Sequence, residues 1–93
     1  MTLEKEIEKK FVKKVKKDFG AKVVKFKDAA QVGGPDRLIL LPGAKAMFIE
    51  MKRPDGIVRK PQFRYRRELL ALGFPSYICD SWEEAYERVR EHA

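Results

Sequence analysis

Three residues of this chain could do chemistry together: Asp36, Glu50 and Lys52. Asp36 ends a Gly33-Gly34-Pro35-Asp36 run, directly before the apolar stretch within Arg37-Leu38-Ile39-Leu40-Leu41. Glu50 interrupts a second apolar stretch, Ala46-Met47-Phe48-Ile49-Glu50-Met51, and Lys52 follows two residues on. A carboxylate inside Phe-Ile-Glu-Met is costly to bury without a partner. Two carboxylates held close repel each other unless a cation sits between them. Oxygen donors without His or Cys suit Mg²⁺ or Mn²⁺ rather than Zn²⁺. Such an ion polarises a phosphate oxygen and lowers the pKa of a bound water, and a neighbouring lysine can orient that water and stabilise the developing charge. This is the minimum equipment for hydrolysing a phosphodiester. Taken singly, a Glu-x-Lys pair on a strand is usually solvated edge decoration and Pro-Asp is as often a turn. Their joint placement carries the reading.

That placement depends on a hairpin. Pro42-Gly43-Ala44-Lys45 joins the two apolar stretches, which predicts two antiparallel strands. Side chains alternate along a strand, so Glu50 and Lys52 share one face while Met47, Ile49 and Met51 take the other. With the turn centred on Gly43-Ala44, paired residue numbers sum to about 87 and Asp36 lies opposite Met51, one step from Glu50. A register shifted by one residue places Asp36 directly across from Glu50. In either register the two carboxylates and the ammonium converge at one end of the hairpin.

The other elements follow from periodicity and end signals. Ile7, Phe11, Val12, Val15 and Phe19 fall on one face of a helix over 3–19, with Thr2 as its cap and Gly20 as its stop. Val23, Val24 and Phe26 suggest a strand, and residues 29–35 a loop. Pro61 opens a helix to about Leu72, which Gly73 closes. Residues 76–79 form a short strand, and Ser81 with Glu84 marks the start of a last helix to about Glu91. The predicted order is α-β-β-β-α-β-α in a single domain over 1–93, an α/β fold with one mixed sheet flanked by helices.

Composition narrows the function classes. The net charge of +7 and a pI near 9.7 favour a polyanionic partner, nucleic acid before membrane. Seven basic residues against one acid lie between Lys52 and Arg67, so the charge is concentrated. No apolar run approaches the length a membrane-spanning helix needs, and the Lys/Glu-rich start argues against a signal peptide. The single cysteine, Cys79, excludes an internal disulfide and a cysteine-cluster zinc site, and a reduced cytoplasmic compartment is expected.

Gly33-Gly34-Pro35-Asp36, followed fourteen residues on by Glu50-Met51-Lys52, resembles the PD-(D/E)XK nuclease superfamily. More narrowly, the chain resembles the stand-alone VRR-NUC domains of phages and bacteria. The likeness covers nearly the whole chain: an acidic start to the first helix, the Pro-Asp-Arg-Leu and Phe-Ile-Glu-Met-Lys runs, and Gln62 opening the helix after the basic loop. One departure is Gly34, where a larger residue is frequent. The resemblance implies a restriction-endonuclease-like fold, Mg²⁺ or Mn²⁺ dependence, and cleavage of structured DNA such as flaps or four-way junctions in a bacterial or phage-infected cell. By the same carry-over Asp36, Glu50 and the Met51 carbonyl would bind metal, Lys52 would be the catalytic lysine, and Gln62 would support the site. The family also uses a glutamate on the first helix. Glu4 and Glu8 lie within about 30° of the centre of the apolar face, whereas Glu6 points away, so Glu8 ranks first and Glu4 second.

Phosphate contacts need cations beside such a centre. Arg53, Arg59 and Lys60 flank the Glu-x-Lys strand, Arg37 follows Asp36, and Lys25 could line the same cleft. The seven lysines of the first helix read instead as its solvated face, interleaved with glutamates. Phe63 and Tyr65 could stack on a base, although core packing is the commoner fate at helical spacing. A single 93-residue domain offers little surface for a two-fold-symmetric junction, so a homodimer is expected. The alternatives are a non-catalytic nucleic-acid-binding module and a nuclease for RNA or single strands. The first leaves Asp36, Glu50 and Lys52 unexplained together, and for the second no RNA-reading motif is evident.

Overall fold

The computed structural model describes residues 3–53 and 56–93, with side chains from residue 5 onward. Thr2, the Glu4 side chain, Pro54 and Asp55 lie outside the described residues. The element order is α1 (Leu3–Phe19), β1 (Lys22–Lys25), β2 (Arg37–Leu41), β3 (Lys45–Met51), α2 (Lys60–Ala71), β4 (Ser76–Cys79) and α3 (Trp82–His92), as the hydrophobic pattern predicts. The four strands lie side by side in sequence order. β1 and β2 pair antiparallel, as do β2 and β3. β4 runs parallel to β3, with α2 as the crossover between them.

Alternation along the strands sends apolar side chains to both faces of this sheet, and each face is covered. On one side Ile39, Leu41, Met47, Ile49 and Cys79 pack with Phe11 and Val15 of α1 and with Ala85 and Val89 of α3. Trp82 and Tyr86 complete that layer, their rings 4.8 Å from Phe11 and 5.3 Å from Phe19. On the other side Phe48 meets Tyr65 and Leu69 of α2, with Phe26 and Leu38 against them. Tyr65 is therefore a core residue, its hydroxyl donating to Asp28 Oδ2 at 2.8 Å, while Phe63 remains exposed. Glu50 belongs to the Phe48 face by the same alternation, so α2 is the helix that overlooks it.

The β2–β3 turn decides the hairpin register. Gly43 and Ala44 both adopt left-handed backbone, at φ +84° and +61°, and the pairing runs from Leu41↔Lys45 to Arg37↔Ile49. The turn thus centres on Gly43, one half-step short of the Gly43-Ala44 centre expected from sequence. One step beyond Arg37↔Ile49, this register sets Asp36 across from Glu50.

Two glycines hold the 29–35 loop against its neighbours. Gly34 sits where a Cβ would lie 3.3 Å from the Tyr65 ring, so the aromatic contact occupies the space a larger residue would need. Gly33 has φ +91°, and a Cβ there would lie 2.4 Å from the Pro61 carbonyl oxygen at the start of α2. Gly33→Ala therefore combines backbone strain with a clash against the main chain, at a cost of about 2–4 kcal/mol. Chemical denaturation of the variant should show that loss; a midpoint equal to that of the parent protein would mean the loop is not seated on α2.

Candidate active site

Asp36 stands just before β2 and is half-buried. Its main-chain carbonyl accepts from Phe26 N–H at 3.0 Å, and its Oδ1 accepts from Met51 N–H at 3.3 Å. One carboxylate oxygen is thereby drawn onto the end of β3, beside Glu50. Burial raises the Asp36 pKa above its usual value despite the opposing charge of Arg37. Glu50 is raised further, to about 7, first by burial and then by the charge of Asp36. Lys52 and Arg37 pull it down without cancelling those effects. Lys52 follows β3 directly, and its N–H extends the β3–β4 ladder to Cys79 O at 2.8 Å. The structure thus brings Asp36, Glu50 and Lys52 into one electrostatic unit.

Gln62 is placed beside that unit by the start of α2. Its Oε1 accepts the Arg59 N–H at 2.8 Å, capping the helix. A cavity of about 10 Å³, room for a single water, lies between Glu50, Gln62, Arg66, Gly33 and Pro35. Arg66 was not anticipated from sequence. It lies one helical turn after Gln62, and that spacing was the available signal. Its Nε donates to Ser76 O at 2.7 Å.

Glu8 and Arg37 have a different arrangement from the one expected. Arg37 donates through Nε and NH2 to the two carboxylate oxygens of Glu8 at 2.9 and 3.0 Å. Its NH1 donates to Asp36 O at 2.9 Å and lies 3.8 Å from Asp36 Oδ1. The guanidinium also lies over the Trp82 ring, 5.9 Å from its centroid. Arg37 is thus an internal clamp between α1 and the start of β2, with only 15% of its side chain exposed, rather than a cation facing solvent. Glu8 reaches the neighbourhood of Asp36 through Arg37, and its charge adds to the forces raising the Asp36 pKa. Among the described residues no group of three or more His, Cys, Asp and Glu side chains could hold a metal ion. The donors available are two carboxylates and main-chain carbonyls.

Arg53, Arg59, Lys60 and Lys25 are all exposed. Arg53 and Lys52 share an open cleft of about 700 Å³ with Glu8 and Arg37. Arg59 and Lys60 stand at the start of α2, while Lys25 ends β1, opposite Arg37.

The raised Glu50 pKa has a consequence for stability. Between the usual 4.5 and about 7 the folded chain holds a proton that the unfolded chain has lost, so stability falls as pH rises through that window. For a half-buried group screened by solvent the loss is about 1–2 kcal/mol. Glu50→Gln keeps the shape and removes the charge, and should melt roughly 5–10 °C above the parent at pH 8. Near pH 5 the two curves should converge. An unchanged or lower melting temperature at pH 8 would show that Glu50 is not strained by its surroundings.

The sequence is 39% identical over 75 residues to "Putative nuclease p44" of Acyrthosiphon pisum secondary endosymbiont phage 1, covering 81% of this chain and 80% of that protein. No family model matches the sequence. A solved structure described as a VRR_NUC domain superposes with a TM-score of 0.75 over 99% of this chain and 98% of its own, at 24% identity, a likeness of fold. The chain shares the α-β-β-β-α-β-α fold of that VRR_NUC domain, and through its match to "Putative nuclease p44" over most of both lengths it belongs to the same nuclease family as that phage protein.

Proposed function

We propose that the chain is a Mg²⁺- or Mn²⁺-dependent endonuclease of the PD-(D/E)XK type that hydrolyses DNA phosphodiester bonds, selects branched structures such as four-way junctions or flaps, and acts as a homodimer. The observation that carries this reading is the pairing of Asp36 with Glu50 in surroundings that raise both pKa values. Two desolvated carboxylates of like charge are what a divalent cation would relieve. The donor set fits Mg²⁺ or Mn²⁺: Asp36, Glu50 and the Met51 carbonyl supply oxygen only, and such an ion keeps several of its own waters. When bound, it supplies Lewis acidity and a water of lowered pKa.

The remaining steps belong to the chain. Lys52, next to Glu50, orients the attacking water and neutralises charge gathering on the phosphate. Because Gln62 Oε1 is committed to the Arg59 N–H, its amide NH₂ is left to donate toward a phosphate oxygen. Arg37 positions Asp36 while holding Glu8, and Glu8 would be available to hold the ion only if released from Arg37. Arg53, Arg59 and Lys60 take the phosphates flanking the scissile bond, with Lys25 at the far edge of the sheet. For the dimer, α2 and the turn after it expose Phe63, Leu70, Leu72 and Phe74, apolar surface that a second copy would cover.

Labelled duplex, flap, four-way junction and RNA incubated with Mg²⁺, Mn²⁺ or EDTA test the activity. Branched DNA should be cut in either metal and in neither case after EDTA. Lys52→Ala should lower the rate at least roughly 100-fold. Cleavage that survives EDTA or this substitution would refute the mechanism. Binding without cleavage under every metal would instead identify a non-catalytic module, and cleavage of RNA alone would replace DNA as the substrate. Sedimentation at micromolar concentration should give a dimer; a monomer there would remove the homodimer from the proposal.

A further inference from the structure

Five of the seven lysines of α1 fall into two groups with different surroundings. Lys10 and Lys14 face the groove between α1 and α3, where Glu83 and Glu87 lie opposite them, and Lys14 sits 4.4 Å over the Tyr86 ring. That groove is balanced in charge. Lys5, Lys9 and Lys13 line the groove on the other side of α1, toward the β1 edge of the sheet, together with Lys25 and Arg37. Among the described residues its one acid is Glu8, and that carboxylate is taken by Arg37.

We infer that this α1–β1 groove is a track for the phosphate backbone of the nucleic acid as it leaves the Asp36–Glu50 centre. The inference rests on the nuclease reading and extends it along the helix. Four observations carry it. The groove is continuous with the cleft beside the centre, since Lys5, Glu8 and Arg37 line both and the cleft also contains Lys52 and Arg53. Its volume of about 740 Å³ is open along the helix rather than closed around a small ligand. Lys5, Lys9 and Lys13 are four residues apart, so their ammonium groups repeat at roughly 6 Å along the helix, a spacing comparable with that of consecutive phosphates on one strand. Finally, Val12 is the groove's apolar lining residue and no aromatic side chain joins it among the described residues. The contacts are therefore to phosphate and not to stacked bases, and are independent of sequence. A membrane surface suits the groove less well: Phe11 and Val15, the apolar stripe of α1, are buried in the core and cannot insert.

The test compares two pairs of lysines that remove the same charge from the same helix. Binding of a fluorescein-labelled DNA flap is followed by anisotropy in EDTA over a range of salt, for the parent, K9A/K13A, K10A/K14A and K9R/K13R. The groove pair should weaken binding roughly tenfold and reduce the salt slope by about 1.5–2. K9R/K13R should restore both, and K10A/K14A should change affinity by no more than about twofold. Equal losses in the two alanine pairs would mean that only net charge matters, and would overturn the track. So would failure of arginine to rescue, or retention of the parent on anionic phosphatidylserine vesicles through Lys9 and Lys13 with DNA binding indifferent to them. The nuclease reading fails separately: if the parent cuts nothing yet binding follows Lys9 and Lys13, the track stands without the activity. If cleavage is normal and binding ignores the pair, the track alone is lost.

Discussion

Asp36 and Glu50 carry like charges at the open end of the β2–β3 hairpin, half-shielded from water, and much of the surrounding structure serves to keep them there. The two left-handed residues of the turn, Gly43 and Ala44, select the register. That register alone would allow the chain to fray at Asp36, where electrostatics opposes closure. The Phe26 and Met51 hydrogen bonds to Asp36 hold the end shut. Behind them the two apolar layers supply the stability that offsets the repulsion. Burial and the mutual repulsion of the two carboxylates act together on Glu50, and Lys52 and Arg37 offset them only in part.

Arg37 links this strain to the first helix. Its guanidinium binds both oxygens of Glu8 and the carbonyl of Asp36, so α1 is anchored where β2 begins. Partly buried ion pairs add little net stability once desolvation is counted, but they specify geometry. The effect here is to fix the end of α1 that carries Lys5 and Lys9 against the Asp36 end of the sheet. The helix then runs away from the centre, and five of its seven lysines divide between a charge-balanced groove and a basic one. The arrangement of charge on the surface thus follows from a packing contact in the interior.

Much of the architecture was legible because its signals are local. The apolar stripe of α1, Pro61 at the start of α2, and Ser81 with Glu84 at the start of α3 each act within one or two turns of chain. The Ser81 cap is formed as expected, with Oγ accepting from Glu84 N–H at 3.1 Å. Glu84 in turn reaches the N–H of Asp80, one residue before the cap. The hairpin was legible too, but its register was open by one residue, because turn conformation depends on backbone angles that Pro-Gly-Ala-Lys does not dictate. The crowding at Gly34 likewise needed Tyr65, thirty-one residues away, to be placed against it.

The sequence by itself determined that two carboxylates and a lysine would meet at the end of a hairpin in a basic α/β domain, because alternation along a strand and a short turn permit little else. Tertiary structure decided what surrounds them. Arg37, adjacent to Asp36 in sequence, found its partner twenty-nine residues earlier on another element and became a clamp instead of a surface cation. Gln62 and Arg66 came to the cavity beside Glu50 only through the crossover that lays α2 over the sheet. Lysines that a helical repeat cannot tell apart were separated by whether α3 or the β1 edge lies opposite. Local rules fix the conformation of neighbours along the chain, whereas the energy of a charge depends on all the groups around it, and those are known only once the chain has folded.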